Sequence, residues 1–128
     1  MKLKNYMNMK KVYLAIPYSG MCESSYEQAN KFTVEALKMG YNPFSPITHS
    51  HPLSKYEIPG DWGFWSKIDY SWIDVCEEVW VLVPKEGIDK IHKSIGVKAE
   101  LKYAKQNNKP IKVFHFTKQG LRKYLNDL

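Results

Sequence analysis

The pattern in this sequence that best suits chemistry is a serine, a glycine and a glutamate at Ser94, Gly96 and Glu100. The glycine follows the serine by two residues, and the glutamate follows the glycine by four. If Ser94 caps a helix, the free backbone N–H groups beside it form an anion site that suits a phosphate. Glu100 then shares a helix face with Gly96, and its side chain leans back towards the helix start. This spacing suits a ligand with a phosphate at the cap and a reacting carbon above Glu100. The alternative is that Ser94 is only a cap and Glu100 only a solvated helix residue.

A second carboxylate, Asp69, lies in a segment rich in large apolar residues, namely Trp65, Ile68, Trp72 and Ile73. A carboxyl group beside an apolar stripe has a raised pKa and can serve as an acid. On the opposite face of the same helix it would be solvated beside polar neighbours. The pattern alone leaves both interpretations open.

Composition limits the classes of protein. A chain of 128 residues with 44% hydrophobic and 14% aromatic residues indicates one folded domain over residues 1–128, with its core at about 11–115. No apolar run approaches the ~20 residues of a membrane span, and the stretch after the basic start is too short for a secretory signal, so we expect a cytoplasmic protein. The net charge of +6 favours an anionic partner. A phosphorylated small molecule fits, whereas no recognised motif supports nucleic acid.

Strand patterns alternate with helix patterns along the chain, which predicts an α/β three-layer sandwich with a Rossmann-like parallel sheet of four to five strands. The predicted strands are Val12–Ile16, Tyr41–Phe44, Val79–Val83 and Ile111–Phe116. The predicted helices are Ser24–Met39, Trp62 to about Cys76, Ser94 to about Gln106 and Thr117–Leu125. Residues 45–60 and 84–93 are expected to be loops, because proline, glycine and polar residues interrupt regular structure there.

Parallel sheets of this kind bind ligands beyond the carboxyl ends of their strands. The site is therefore expected from residues 17–20, 45–60 and 84–94, and its further candidates are Pro17, Tyr18, Ser19, His49, His51, Trp62 and Trp65. The two histidines lack a third ligand at a recognisable spacing, so we predict no metal and assign them to a base pocket or to capping the loop. The two tryptophans either stack on a base or pack in the core, and Trp72 is expected in the core.

Several of these segments, in this order, resemble the nucleoside 2-deoxyribosyltransferase superfamily. They are Val12–Ala15 with Pro17, Asp69–Glu77 before the strand Val79–Val83, and the serine–glycine–glutamate pattern at 94, 96 and 100. The serine six residues before the glutamate is closer to the nucleoside 5′-monophosphate N-glycosidase branch. Runs at 43–46, 49–53 and 61–65 are similar to a small subgroup common in bacteria and phages.

The resemblance implies a role for each matching position. Glu100 matches the nucleophile that attacks the anomeric carbon, Asp69 the aspartate that positions or protonates the leaving base, and Tyr13 the tyrosine that orients the nucleophile. Ser94 matches the phosphate-binding serine, with Gly96 in the same loop. The glycine- and arginine-rich phosphate loop of that branch is absent after the first strand, and the candidates to replace it are Ser19, Lys31 and Lys93.

We therefore expect an enzyme without a cofactor that hydrolyses the N-glycosidic bond of a (deoxy)nucleoside 5′-monophosphate. A carboxylate beneath the anomeric carbon stabilises or bonds to the developing positive charge, and an acid protonates the departing base. The alternatives are a deoxyribosyltransferase that moves the sugar between bases and a non-catalytic module that senses a nucleotide. The expected partners are a nucleotide or nucleoside and, from the resemblance, further copies of the chain in a homo-oligomer.

Overall fold

Five strands and five α-helices form the part of the chain that the computed structural model describes, residues 9–126 and 128. The strands are β1 (Lys11–Ala15), β2 (Asn42–Phe44), β3 (Glu78–Leu82), β4 (Ile111–Thr117) and β5 (Gly120–Lys123). The helices are α1 (Cys22–Lys38), α2 (Pro46–Ser50), α3 (Trp62–Val75), α4 (Asp89–Lys93) and α5 (Ile95–Gln106), and a 3-10 turn spans His51–Lys55. The basic start of the chain, which was considered above in relation to a secretory signal, lies largely outside the described residues.

The five strands form one sheet in the order β2-β1-β3-β4-β5. The first three pairings are parallel, with Val12 opposite Pro43 and Glu78, and Val81 opposite Val113. β5 runs antiparallel to β4 at the edge of the sheet. The predicted α/β architecture is confirmed, and its mainly parallel sheet brings the carboxyl ends of β1, β2 and β3 to one edge.

Side chains that alternate along the central strands build two cores, one on each face of the sheet. Tyr13 and Val81 pack on the face covered by α3 and α5, with Ile73 and Val97 from those helices. On the other face the strand residues pack against α1 through Ala29, Phe32 and Ala36. The chain therefore folds into three layers, as the sequence predicted, and Tyr13 faces the layer that carries Glu100.

The predicted helix Thr117–Leu125 is wrong. β4 continues to Thr117, residues 118 and 119 form a turn, and β5 begins at Gly120, whose φ of +103° favours glycine. The backbone N–H of Gln119 donates to the Thr117 Oγ1 and closes the turn. Leu121 and Tyr124 then pack on opposite faces of the sheet, as strand alternation requires, whereas three-residue spacing on a helix would place them on one side.

Two further expectations need correction. The predicted loops contain short helices, because Ser45 caps α2 by accepting a hydrogen bond from the Thr48 N–H at 3.2 Å, and α4 forms within 84–93. Trp72 is not in the core: its side chain is 39% exposed and its ring stacks on Phe44 with centroids 4.0 Å apart. Within the described ranges, no helix is both long and apolar enough to cross a membrane.

Candidate active site

A cavity of about 620 Å³ opens at the edge where β1, β2 and β3 end. Its walls come from the segment after β1, from residues 46–60 after β2, from the first two turns of α3, and from α4 with the start of α5. This is the edge predicted from the parallel topology. A volume of this size is within the range of pockets that hold small molecules.

Glu100 is the buried carboxylate of the cavity wall. It lies in the second turn of α5, its side chain is only 5% exposed, and the hydroxyl of the fully buried Tyr13 donates a hydrogen bond to its Oε2. Burial, and then the charge of Glu100, raise the pKa of Tyr13 well above its usual range, so this phenol keeps its proton and remains a donor. Tyr13 therefore fixes the position of one carboxylate oxygen from beneath.

Asp69 is the second carboxyl group of the wall and is 8% exposed, so the solvated alternative is excluded. Burial raises its pKa from 3.8 to about 6, against opposing hydrogen bonds with Glu100 and Tyr13. Burial first, and the charge of Asp69 second, raise the pKa of Glu100 well above its usual range, while the bond from Tyr13 opposes that shift. Both shifts favour the protonated forms of these two carboxyl groups over those of exposed ones.

The start of α5 forms the cationic end of the cavity. Ser94 is the N-cap residue, and its Oγ accepts a hydrogen bond from the Val97 N–H at 3.1 Å. Lys90 and Lys93 of α4 line the same end. A helix start next to two ammonium groups suits an anion such as a phosphate.

Gly96 also lines the cavity, but an aromatic ring borders its open side. A Cβ atom placed on Gly96 would lie 3.5 Å from the nearest ring carbon of Trp62. The indole thus occupies part of the space that the sequence analysis gave to a ligand.

The opposite end of the cavity, over β1 and β2, is aromatic and polar. The hydroxyl of Tyr18 lies 2.7 Å from Nδ1 of His51, and Nε2 of His51 lies 2.9 Å from the Oε1 of Glu23. The ring of Tyr26 packs on the imidazole with centroids 4.5 Å apart. Tyr18 and His51 both line the cavity, whereas Glu23 is exposed outside it.

Most residues singled out from the sequence come together here. Those that line the cavity are Pro17, Tyr18, Ser19, His51, Trp62, Trp65, Asp69, Ser94, Gly96 and Glu100. His49 does not line it: this side chain is exposed, faces the ring of Phe44 and contacts the Ser50 hydroxyl. Lys31 lies elsewhere, beside Val34 and Phe116.

Sequence reasoning missed Glu23 and Lys90. No local pattern links Glu23 to His51, which lies 28 residues away. Lys90 follows from the chain only once α4 is recognised within the expected loop. Among residues 9–126 and 128, no group of three or more His, Cys, Asp or Glu side chains is placed to hold a metal ion.

Comparisons with known proteins give a family and a fold. A family model described as "Domain of unknown function (DUF1937)" matches residues 10–116. No curated protein matches the chain. A solved 2-deoxyribosyltransferase from the psychrotolerant bacterium Bacillus psychrosaccharolyticus superposes with a TM-score of 0.62 and 21% identity, covering 91% of this chain and 77% of that one. At this identity the similarity shows a shared fold.

Proposed function

The chain belongs to the DUF1937 family, and we propose that it hydrolyses the N-glycosidic bond of a (deoxy)nucleoside 5′-monophosphate. The observation that carries the proposal is the carboxyl group of Glu100, buried in the cavity wall, held by the Tyr13 hydroxyl and accompanied by Asp69. A buried pair of carboxyl groups that shares a proton can supply a nucleophile and an acid from one site.

Glu100 is the proposed nucleophile and Asp69 the acid. As the bond from C1′ to the base nitrogen breaks, the developing positive charge at C1′ favours an ionised Glu100, and the shared proton resides on Asp69. An oxygen of Glu100 bonds to C1′ while the base leaves with the proton from Asp69. A pKa of about 6 makes Asp69 a proton donor of suitable strength near neutral pH.

Water completes the reaction. Asp69, now ionised, accepts a proton from a water molecule whose oxygen attacks C1′, and the ester bond to Glu100 breaks. The products are the free base and the sugar phosphate, and both carboxyl groups return to their starting state with one shared proton. Tyr13 keeps its proton throughout and acts as a positioning residue for Glu100.

The phosphate is assigned to the cationic end. Ser94, the start of α5 and the ammonium groups of Lys90 and Lys93 offer hydrogen-bond donors and positive charge there. This set would replace the missing glycine- and arginine-rich loop, and Ser19, which also lines the cavity, is a further candidate donor.

A transferase is the second candidate, because the fold is shared with a protein named as a 2-deoxyribosyltransferase. The same ester of Glu100 would then be attacked by a second base in place of water. The two reactions differ only in the acceptor, so one assay separates them.

The test incubates the protein with nucleoside monophosphates and the matching nucleosides and follows free base by chromatography. We expect base release from monophosphates without an acceptor, and a loss of at least about a thousandfold in Glu100→Gln. Glu27→Gln is the matched control, because Glu27 is an exposed glutamate of α1 outside the cavity, and it should keep full activity.

Other outcomes separate the alternatives. Product that forms only when a second base is added indicates a transferase. Nucleotide binding without turnover indicates a sensor. Full activity in Glu100→Gln would overturn the mechanism.

A further inference from the structure

Three side chains form a hydrogen-bonded chain that runs from solvent into the cavity. Glu23 contacts Nε2 of His51 at 2.9 Å, and Nδ1 of His51 contacts the hydroxyl of Tyr18 at 2.7 Å. The ring of Tyr26 holds the imidazole in place from one side. The mechanism proposed above uses none of these groups.

The partners fix the direction of each hydrogen bond. An ionised Glu23 can only accept, so Nε2 of His51 carries a proton. In the neutral imidazole Nδ1 is then an acceptor, and Tyr18 donates its hydroxyl proton to it. Burial raises the pKa of Tyr18 to about 12, so the phenol keeps that proton. With its one proton used, the oxygen of Tyr18 has only lone pairs left to offer to a ligand.

The sheet order places this oxygen away from the cationic end. Tyr18 and His51 follow β1 and β2, whereas Lys90, Lys93 and Ser94 follow β3, on the other side of β1. β1 lies one strand spacing of about 4.8 Å from β3, and β2 lies two spacings away. A nucleotide with its phosphate over β3 that extends across β1 and β2 would direct its base towards Tyr18 and His51.

We propose that the Glu23–His51–Tyr18 chain selects bases that present an exocyclic amino group to the oxygen of Tyr18, as adenine or cytosine can. A carbonyl oxygen of the base at that position would face the oxygen of Tyr18, so that two hydrogen-bond acceptors would lie against each other. This repulsion would weaken binding. Tyr18 contacts the base, and His51 and Glu23 are positioning residues. This inference rests on the proposed function for the placement of the nucleotide.

The test compares binding of dAMP and dIMP. At C6 dAMP carries an amino donor and dIMP a carbonyl acceptor, and N1 is an acceptor in dAMP and an N–H donor in dIMP. Calorimetry at pH 8 uses the Glu100→Gln protein, so that no turnover occurs. We expect dAMP to bind about tenfold more tightly, the effect of one buried hydrogen bond. Adding His51→Phe keeps a ring against Tyr26 but removes both nitrogens, and the ratio should fall to within about twofold.

A second variant and a control make the result decisive. Tyr18→Phe should remove the same preference by deleting the hydroxyl, and Glu27→Gln should retain it. Equal weakening of both nucleotides in His51→Phe and Tyr18→Phe, with the ratio unchanged, would overturn the inference, as would equal binding by the parent protein. If wild-type protein releases no base but the ratio behaves as expected, only the proposed reaction fails. If neither nucleotide binds, both fail.

Discussion

Glu100 and Asp69 are buried together with Tyr13, and their burial affects both their pKa values and the stability of the fold. Burial disfavours the ionised form of each carboxyl group, and the charge of Asp69 further raises the pKa of Glu100, whereas a hydrogen bond with Glu100 lowers the pKa of Asp69. The folded state therefore holds protons that the unfolded chain releases above about pH 4. The same shift that makes Asp69 a usable acid lowers the stability of the fold at neutral pH.

Replacing Asp69 by asparagine should stabilise the protein at pH 8. Because the folded-state pKa of about 6 lies above the unfolded value, the free energy of unfolding is highest below about pH 4 and falls as pH rises to about 6. Asp69→Asn removes this pH dependence and should raise the free energy of unfolding at pH 8 by about 3 kcal/mol, since one pKa unit corresponds to about 1.4 kcal/mol.

Thermal unfolding at pH 4 and pH 8 measures this gain, which should vanish at the lower pH. Asp89→Asn, at an exposed position, is the control and should show no such pH dependence. If Asp69→Asn is less stable than the wild-type protein at pH 8, burial of the Asp69 carboxylate does not destabilise the fold, contrary to this prediction.

At the scale of elements, the sequence predicted well wherever local signals and tertiary packing agree. α5 begins at the expected cap Ser94, α3 is capped by Asp61, and β3 is the apolar run that the pattern indicated. β5 was missed because the residues after Thr117 suit a helix locally. The turn at Gly120 and the pairing with β4 make this segment a strand instead. Spacing alone likewise could not bring His51 to Glu23.

The start of α5 yields a prediction that separates capping from ligand binding. Ser94→Ala removes the cap and should cost about 1 kcal/mol of stability. If Ser94 also holds the phosphate, kcat/KM for monophosphates should fall about tenfold more than kcat/KM for nucleosides. Ser45→Ala deletes the matching cap of α2 outside the cavity lining, so it should lower stability and leave that ratio unchanged. Equal losses for both substrates in Ser94→Ala would remove Ser94 from the phosphate site.

In the whole molecule, segments that follow different strands line the two ends of one cavity. The ends differ because the segments after β1 and β2 carry the aromatic and polar groups, whereas those after β3 carry the lysines. The net charge of +6 favours anionic ligands. Glu100 meets Tyr13 because α5 packs on the face of the sheet to which Tyr13 points. The homo-oligomer and the single domain over residues 1–128 stay predictions.

In the proposed mechanism Glu100 bonds covalently to the anomeric carbon, and mass spectrometry of acid-quenched protein detects that bond. Protein that is mixed with a 2′-deoxynucleoside 5′-monophosphate and quenched within milliseconds should carry one bound sugar phosphate. One equivalent of free base should have been released into solution. After digestion this added mass should lie on the peptide that contains Glu100. Continued release of base with that peptide unmodified, or with the sugar phosphate on another residue, would contradict the account.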